Sequence, residues 1–199
     1  GKMPGPPYQQ MSVHLTLKAD SVTPDLARLA SRSPALKKVM GVAMRNALIS
    51  HFRFKNATPN RLGGTRTNFW LAVANSCSAP VVNGSGVLVR INHPHAAIHV
   101  YGGHVTPKKA NMLAIPVAAE AHGKSPRVFS DLRPVWSGGR PVGLALGEKM
   151  YYVLKKGVRI PRDPQALPQE DQVRQAVTRA ARIFLPVSYT HLTLPTTSR

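Results

Sequence analysis

The segment Ser33-Pro34-Ala35-Leu36-Lys37-Lys38-Val39-Met40-Gly41-Val42-Ala43-Met44-Arg45-Asn46-Ala47-Leu48-Ile49-Ser50-His51-Phe52-Arg53 decides the fold. Ser33 offers a side-chain oxygen to the first free backbone donors of a helix, and Pro34 follows in the first turn, where its missing N–H costs nothing. Leu36, Val39, Met40, Ala43, Met44, Ala47, Leu48 and Phe52 recur at three- and four-residue spacings and so share one stripe, with Lys37, Lys38, Arg45 and Arg53 elsewhere on the surface. Such a stripe is core more often than partner groove, so the rest of the chain must supply the surface that covers it.

Upstream, Val13, Leu15 and Leu17 alternate with Ser12, His14, Thr16 and Lys18, the period of a strand with one buried face. A short helix is expected over Asp25 to Ala30, and a loop over Lys55 to Thr67, where Pro, Gly and Asn stand without periodicity. Phe69 to Ser76 reads as a short helix. Val81-Val82 and Val87 to Ile91 flank Asn83-Gly84-Ser85-Gly86, residues tolerant of positive φ, and so form a hairpin. A helix of one or two turns starts at Pro94, runs through Ile98 and Tyr101, and stops at Gly102-Gly103. Met112 to Val117 is a strand that Pro116 confines to an edge or an end. Ala118 to Val142, punctuated by Pro126, Pro134, Gly138-Gly139 and Pro141, reads as an irregular excursion. A second hairpin joins Val142 to Leu146 with Met150 to Lys155 around Gly147-Glu148, and the sheet ends near Ile160-Pro161. The last helix follows Pro168, with Glu170-Asp171 in its first turn, an apolar stripe at Val173, Ala176, Val177, Ala180 and Phe184, and Arg174, Arg179 and Arg182 beyond, an order that suits the helix dipole.

The expected fold is therefore α+β, an antiparallel β-sheet packed against a long N-terminal helix, with a C-terminal helix, in one domain over residues 11–185. Residues 1–10 are Pro/Gly-rich and unpatterned, and are expected to be a disordered or non-native leader with Met11 as the start. Val187 to Thr196 resembles the in-frame translation of a transposase sequencing adapter (TCT TAT ACA CAT CTG ACG CTG CCG ACG for Ser188 to Thr196), so residues 186–199 are expected to be adapter-derived.

The chain carries 27 Lys+Arg against 8 Asp+Glu, a formal charge of +19; setting both ends aside removes Lys2 and Arg199 and leaves +17. Such a field favours nucleic acid, anionic surfaces and acidic protein faces alike. Cys77 is the lone cysteine, which rules out an intrachain disulfide and a Cys-based metal site built from this chain, and fits a reducing compartment. No apolar run approaches the roughly 20 residues that span a bilayer, so no membrane partner is expected.

His93, His95, His99 and His104 form the most conspicuous candidate for chemistry, and the four-residue step from His95 to His99 puts two imidazoles on one helical face. The nearest following carboxylate is Glu120, and there is no His-Glu-x-x-His pattern, so solvated or hydrogen-bonded histidines are the preferred reading. Gly84-Ser85-Gly86 lacks the spacing of a nucleophile elbow, and Gly63-Gly64 and Gly138-Gly139-Arg140 are not phosphate-binding loops. No catalytic, cofactor or metal residue is assigned. Arg61, Arg66, Lys108, Lys109, Lys155, Lys156 and Arg159 are candidate phosphate contacts, though neither a zinc finger nor an RNA-recognition motif accompanies them.

Ile91-Asn92-His93-Pro94, Ile98-His99-Val100-Tyr101-Gly102-Gly103, His104-Val105-Thr106-Pro107-Lys108-Lys109 and Leu113-Ala114-Ile115-Pro116 resemble the centre of phage virion morphogenesis proteins, the tail-completion or head–tail joining family (Mu G-protein-like). His99 and Gly102-Gly103 match its His-x-x-Gly-Gly-like turn. Val158 to Pro164 stands where the family often has Ile-Pro-x-Arg-Pro-Phe-Leu, here without the Arg-Pro-Phe core. The resemblance spans about Met11 to Leu185. It implies a non-enzymatic structural protein of a tailed phage or prophage, a homo-oligomeric ring in the virion that is assembled in the bacterial host cytoplasm and contacts neck or tail-tube proteins. It also implies an assembly surface at His99, Tyr101, Gly102, Gly103, Thr106, Pro107, Lys108, Lys109, Ile115 and Pro116. The alternative is a basic nucleic-acid-binding protein, and behind it a His-dependent metalloenzyme relying on His95 and His99.

Overall fold

The computed structural model describes residues 13–17, 33–59, 66–83 and 86–190. The leader at 1–10, the expected helix at Asp25 to Ala30, Gly84-Ser85 of the first hairpin, Arg61 and Gly63-Gly64 of the loop, and the tail from residue 191 lie outside them.

The chain is α+β, with helices and antiparallel strands in one sequence. Helix α1 (Pro34–Ala57) begins as its sequence dictates: Ser33 Oγ accepts from the Leu36 N–H at 3.2 Å, and Pro34 occupies the first turn. The helix extends to Ala57, three residues into the segment expected to be a loop. Its buried residues are Leu36, Met40, Gly41, Met44, Leu48 and Phe52, while Val39, Ala43 and Ala47 are half-buried. A four-residue step overshoots a 3.6-residue turn by roughly 40°, so this line winds around the helix and meets different neighbours along its length.

The first neighbours are strands. β1 (Val13–Leu17), β2 (Val81–Asn83) and β3 (Gly86–Ile91) form a sheet in the order β1-β3-β2, with Val13 opposite Ile91 and Val81 opposite Leu88. Val87, Val89 and Ile91 of the central strand are buried and Arg90 between them is exposed, so alternation sets the inward face. At Gly41 the helix lies so close that an added Cβ would fall 2.5 Å from Val87 Cγ1 and 2.7 Å from Pro80 Cβ. The later neighbours are α2 (Phe69–Asn75), α3 (Ala96–Tyr101) and α4 (Glu170–Thr190), which complete one core with Val73, Ala74, Ala96, Ala97, Val173, Val177 and Ala181. Ala181, absent from the expected stripe of the last helix, is fully buried, whereas Ala176 and Ala180 are half-buried. Arg45 is not a plain surface cation: its Nε donates to the Cys77 and Ser78 carbonyls at 3.2 and 3.0 Å, binding α1 to the chain leaving α2.

Among the described residues the strands fall into three sheets rather than one. β4 (Gly103–Val105) pairs with β9 (Val158–Ile160) as a two-stranded ribbon. β5 (Leu113–Pro116), β6 (Arg133–Ser137), β7 (Arg140–Leu146) and β8 (Lys149–Lys155) form the third in the order β5-β8-β7-β6. Pro116 ends an edge strand, as its missing donor requires. The stretch expected to be irregular instead holds a hairpin. Gly138 and Gly139 take φ of 55° and 73°, the paired positive angles of a two-residue hairpin turn, while Pro134 sits on the outer strand and Pro141 precedes the residues of β7 that pair with β8. A second, smaller core lies beneath this sheet. Tyr152 is buried with Ala118, Ala121 and Tyr151, and its hydroxyl donates to the Lys124 carbonyl at 3.0 Å and also lies 3.3 Å from the Ala121 carbonyl, tying residues 118–124 to the strands.

Phe52 and Gly102 provide direct checks on this packing. Truncation of Phe52→Ala is expected to lower unfolding stability by about 3–5 kcal/mol in urea denaturation, because the site lies in the main core where little can collapse into the space. Gly102→Ala is expected to cost about 1–3 kcal/mol or more: its φ of 73° and ψ of 177° belong to glycine, and the new Cβ would sit 2.9 Å from the Arg162 nitrogen.

Candidate functional site

A cleft of about 1030 Å³ opens where the carboxyl end of α1, the start of α2, the β3–α3 link and the approach to α4 converge. His51 and Lys55 reach it from α1, one turn apart on the same side. Phe69 and Trp70 enter from the first turn of α2, His93 and His95 from the link, and His99 from α3. The rings are packed on one another: Trp70 stacks on Phe52 with centroids 5.8 Å apart, Phe69 meets His93 edge-on at 4.9 Å, and His99 touches Phe69 and Trp70 at 4.8 and 5.4 Å.

Lys55 is the hub of the cleft wall. Its ammonium donates to Asp163 Oδ2 at 2.7 Å and to the Gln165 carbonyl at 3.1 Å, and lies 4.7 Å from the Trp70 ring centroid. Burial pushes the Asp163 carboxyl up, but the Lys55 ammonium and the Gln165 N–H, 2.8 Å from Oδ1, outweigh it and hold the group below the ordinary carboxylate range. His51 Nε2 lies 3.1 Å from the Gln165 carbonyl; since a carbonyl only accepts, Nε2 carries the proton.

The four histidines that neighbour one another in sequence do not stay together. His93, His95 and His99 line the cleft, whereas His104 is on β4 with its ring against Gly157. The four-residue step from His95 to His99 is not a helical one either, because His95 is the cap residue before α3, with φ −108° and ψ 1°. Among the described residues no group of three or more His, Cys, Asp or Glu is arranged to hold a metal ion. Burial pushes the Cys77 thiol up to about 11, so it carries little thiolate at neutral pH.

The residues expected to form an assembly surface are divided among four places. His99 faces the cleft and Tyr101, at the end of α3, is 57% exposed. Gly102 and Gly103 make the turn into β4 and lock against β9: Gly103 lies opposite Ile160, and the Asp163 N–H donates to the His99 carbonyl at 2.9 Å. Thr106 and Pro107 follow β4, Lys108 and Lys109 are exposed in the bend beyond, and Ile115 and Pro116 are half-buried on the edge strand β5. Of the expected phosphate contacts, Arg66 lies at the cleft, while Lys155 ends β8, Lys156 follows it and Arg159 is on β9. Sequence reading missed His51, Lys55, Phe69, Trp70 and His122 as cleft residues, and Asp163 as the partner of Lys55. The one local signal is the His51–Lys55 spacing at the end of a strongly periodic helical segment; the others meet only through the fold.

Among the described residues, no helix is long and apolar enough to cross a membrane. No protein-family model, curated protein or solved structure matches the chain.

His51, His93 and His99 are all held below the ordinary imidazole value, first by burial and then by neighbouring cations or imidazoles, with Gln165 and Asp163 opposing at His51 and Asp163 opposing at His99. The unfolded chain therefore binds more protons than the folded one once the pH drops below roughly 6.5, and stability falls with it. The urea midpoint is expected to be lower at pH 5 than at pH 7.5, and His99→Gln is expected to flatten that dependence.

Proposed function

We propose that this chain is a non-enzymatic structural protein of tailed-phage or prophage assembly, acting in tail completion or head–tail joining as part of a homo-oligomeric ring. It would be a virion component assembled in the bacterial host cytoplasm, with neck or tail-tube proteins as partners. The observation that carries this reading is the union of two segments far apart in sequence, the first matching the turn of virion morphogenesis proteins and the second standing where they have their Ile-Pro stretch, here without its Arg-Pro-Phe core. The His99–Gly102–Gly103 turn and the Val158–Pro161 stretch pair as β4 and β9, and the space beside Gly102 is filled by Ile160, Pro161 and Arg162 backbone. Residues quoted as separate motifs thus form one structural unit, with no room for a side chain at the glycine.

Two further features favour assembly through surfaces. Val81 and Val82 are exposed on β2, an outer strand of the first sheet, and Trp136 is 61% exposed on β6, an outer strand of the third. Outer strands present unpaired backbone groups that a neighbour can complete, and two unlike surfaces are what a closed head-to-tail ring needs. Mass photometry and negative-stain microscopy of the purified chain are expected to give closed rings of one stoichiometry. A protein that stays monomeric at every concentration and is missing from purified particles would overturn the proposal.

A further inference from the structure

We propose that the cleft between α1, α2 and α3 binds single-stranded nucleic acid. This inference does not rest on the assembly reading, since it concerns a different surface and a different partner.

Charge is the first observation. Arg66 and Lys55 line the cleft as cations, the second already paired with Asp163, and five of the chain's eight histidines, His51, His93, His95, His99 and His122, add ring N–H groups. Among the described residues no carboxylate lines the cleft. Asp163, which touches Lys55 from behind, is already engaged by that ammonium and by the Gln165 N–H. Cationic and N–H groups gathered without acidic competitors suit a ligand that presents several anionic oxygens.

The remaining lining separates a nucleic-acid strand from an acidic peptide, which would need cations alone. Phe54, on the last turn of α1, lines the cleft and is 80% exposed, a ring face for a base. Asn68, Gln169 and Gln172 add amides, which carry both donors and acceptors and so match the edges of unpaired bases. The volume of about 1030 Å³ lies at the upper end of the roughly 300–1,000 Å³ of small-ligand pockets, and fits a short stretch of chain. A second copy of this protein is a poor occupant, because it brings a formal charge of +19 with only 8 acidic residues.

A strongly basic protein binds any polyanion weakly, so the test compares sites. The full chain is titrated into a fluorescein-labelled twelve-residue oligothymidylate, with anisotropy as the readout, in the wild type and in Phe54→Ala, Arg66→Ala and the control pair Lys155→Ala and Lys156→Ala. Phe54 and Arg66 are exposed, and thermal melts check that each variant is folded. Phe54→Ala is expected to weaken binding at least fivefold, in line with the roughly 1–3 kcal/mol per stacked base, and Arg66→Ala to weaken it more than either control lysine. In a Trp136→Phe background, which leaves Trp70 as the sole tryptophan, the oligonucleotide is expected to quench the remaining emission. Equal, small losses in all four variants would overturn the proposal in favour of diffuse electrostatic attraction. Polyglutamate of equal charge that binds as tightly, with the same dependence on Phe54, would overturn it in favour of an acidic peptide.

Discussion

The winding line of buried side chains on α1 is the constraint from which the other contacts follow. Leu36, Met40, Met44, Leu48 and Phe52 sit four residues apart, so each step turns the buried face by roughly 40° around the axis. A straight stripe would have been satisfied by one sheet. The rotation instead gives the helix contacts with the β1-β3-β2 sheet, which it approaches at Gly41, and with α2 and α4. Arg45 fixes the transition by holding the carbonyls of Cys77 and Ser78, where the chain leaves α2 for β2.

The cleft follows from the same geometry. Phe52 ends the buried line and stacks on Trp70, which places α2 and so brings Phe69 against His93 and His99. His51 and Lys55, neighbours of Phe52 on α1, are delivered to the cleft by the packing of their own helix. Lys55 then reaches Asp163 in the segment between β9 and α4. The ion pair is partly exposed, and its worth lies in position more than in strength, because it joins the end of the first long helix to the approach of the last.

Gly102 links the cleft to the second half of the chain. Its positive φ lets α3 turn directly into β4, and β4 in turn pairs with β9, which leads to Asp163. The turn proposed for assembly and the ion pair that borders the cleft therefore belong to one run of contacts, from His99 through Gly102 and Ile160 to Asp163 and Lys55. The four-stranded sheet stands on its own smaller core around Tyr152 and carries its exposed apolar groups, Trp136 among them, on an outer strand.

By itself the sequence determined the α+β class, the capped start of α1, the alternating strands of the first sheet, the β7–β8 hairpin and the glycine stop of α3, because each of these is encoded over a few adjacent residues. It misread the β6–β7 hairpin, since Gly138-Gly139 and the prolines break the hydrophobic period that marks strands, and an outer strand tolerates proline where an inner one does not. Only tertiary structure decided that the strands divide into three sheets, that His104 leaves the histidine group, and that His51, Lys55, Trp70, His99 and Asp163 meet. Those partners lie far apart in the chain, 108 residues in the Lys55–Asp163 bond, and no local spacing records a contact made by packing one element upon another.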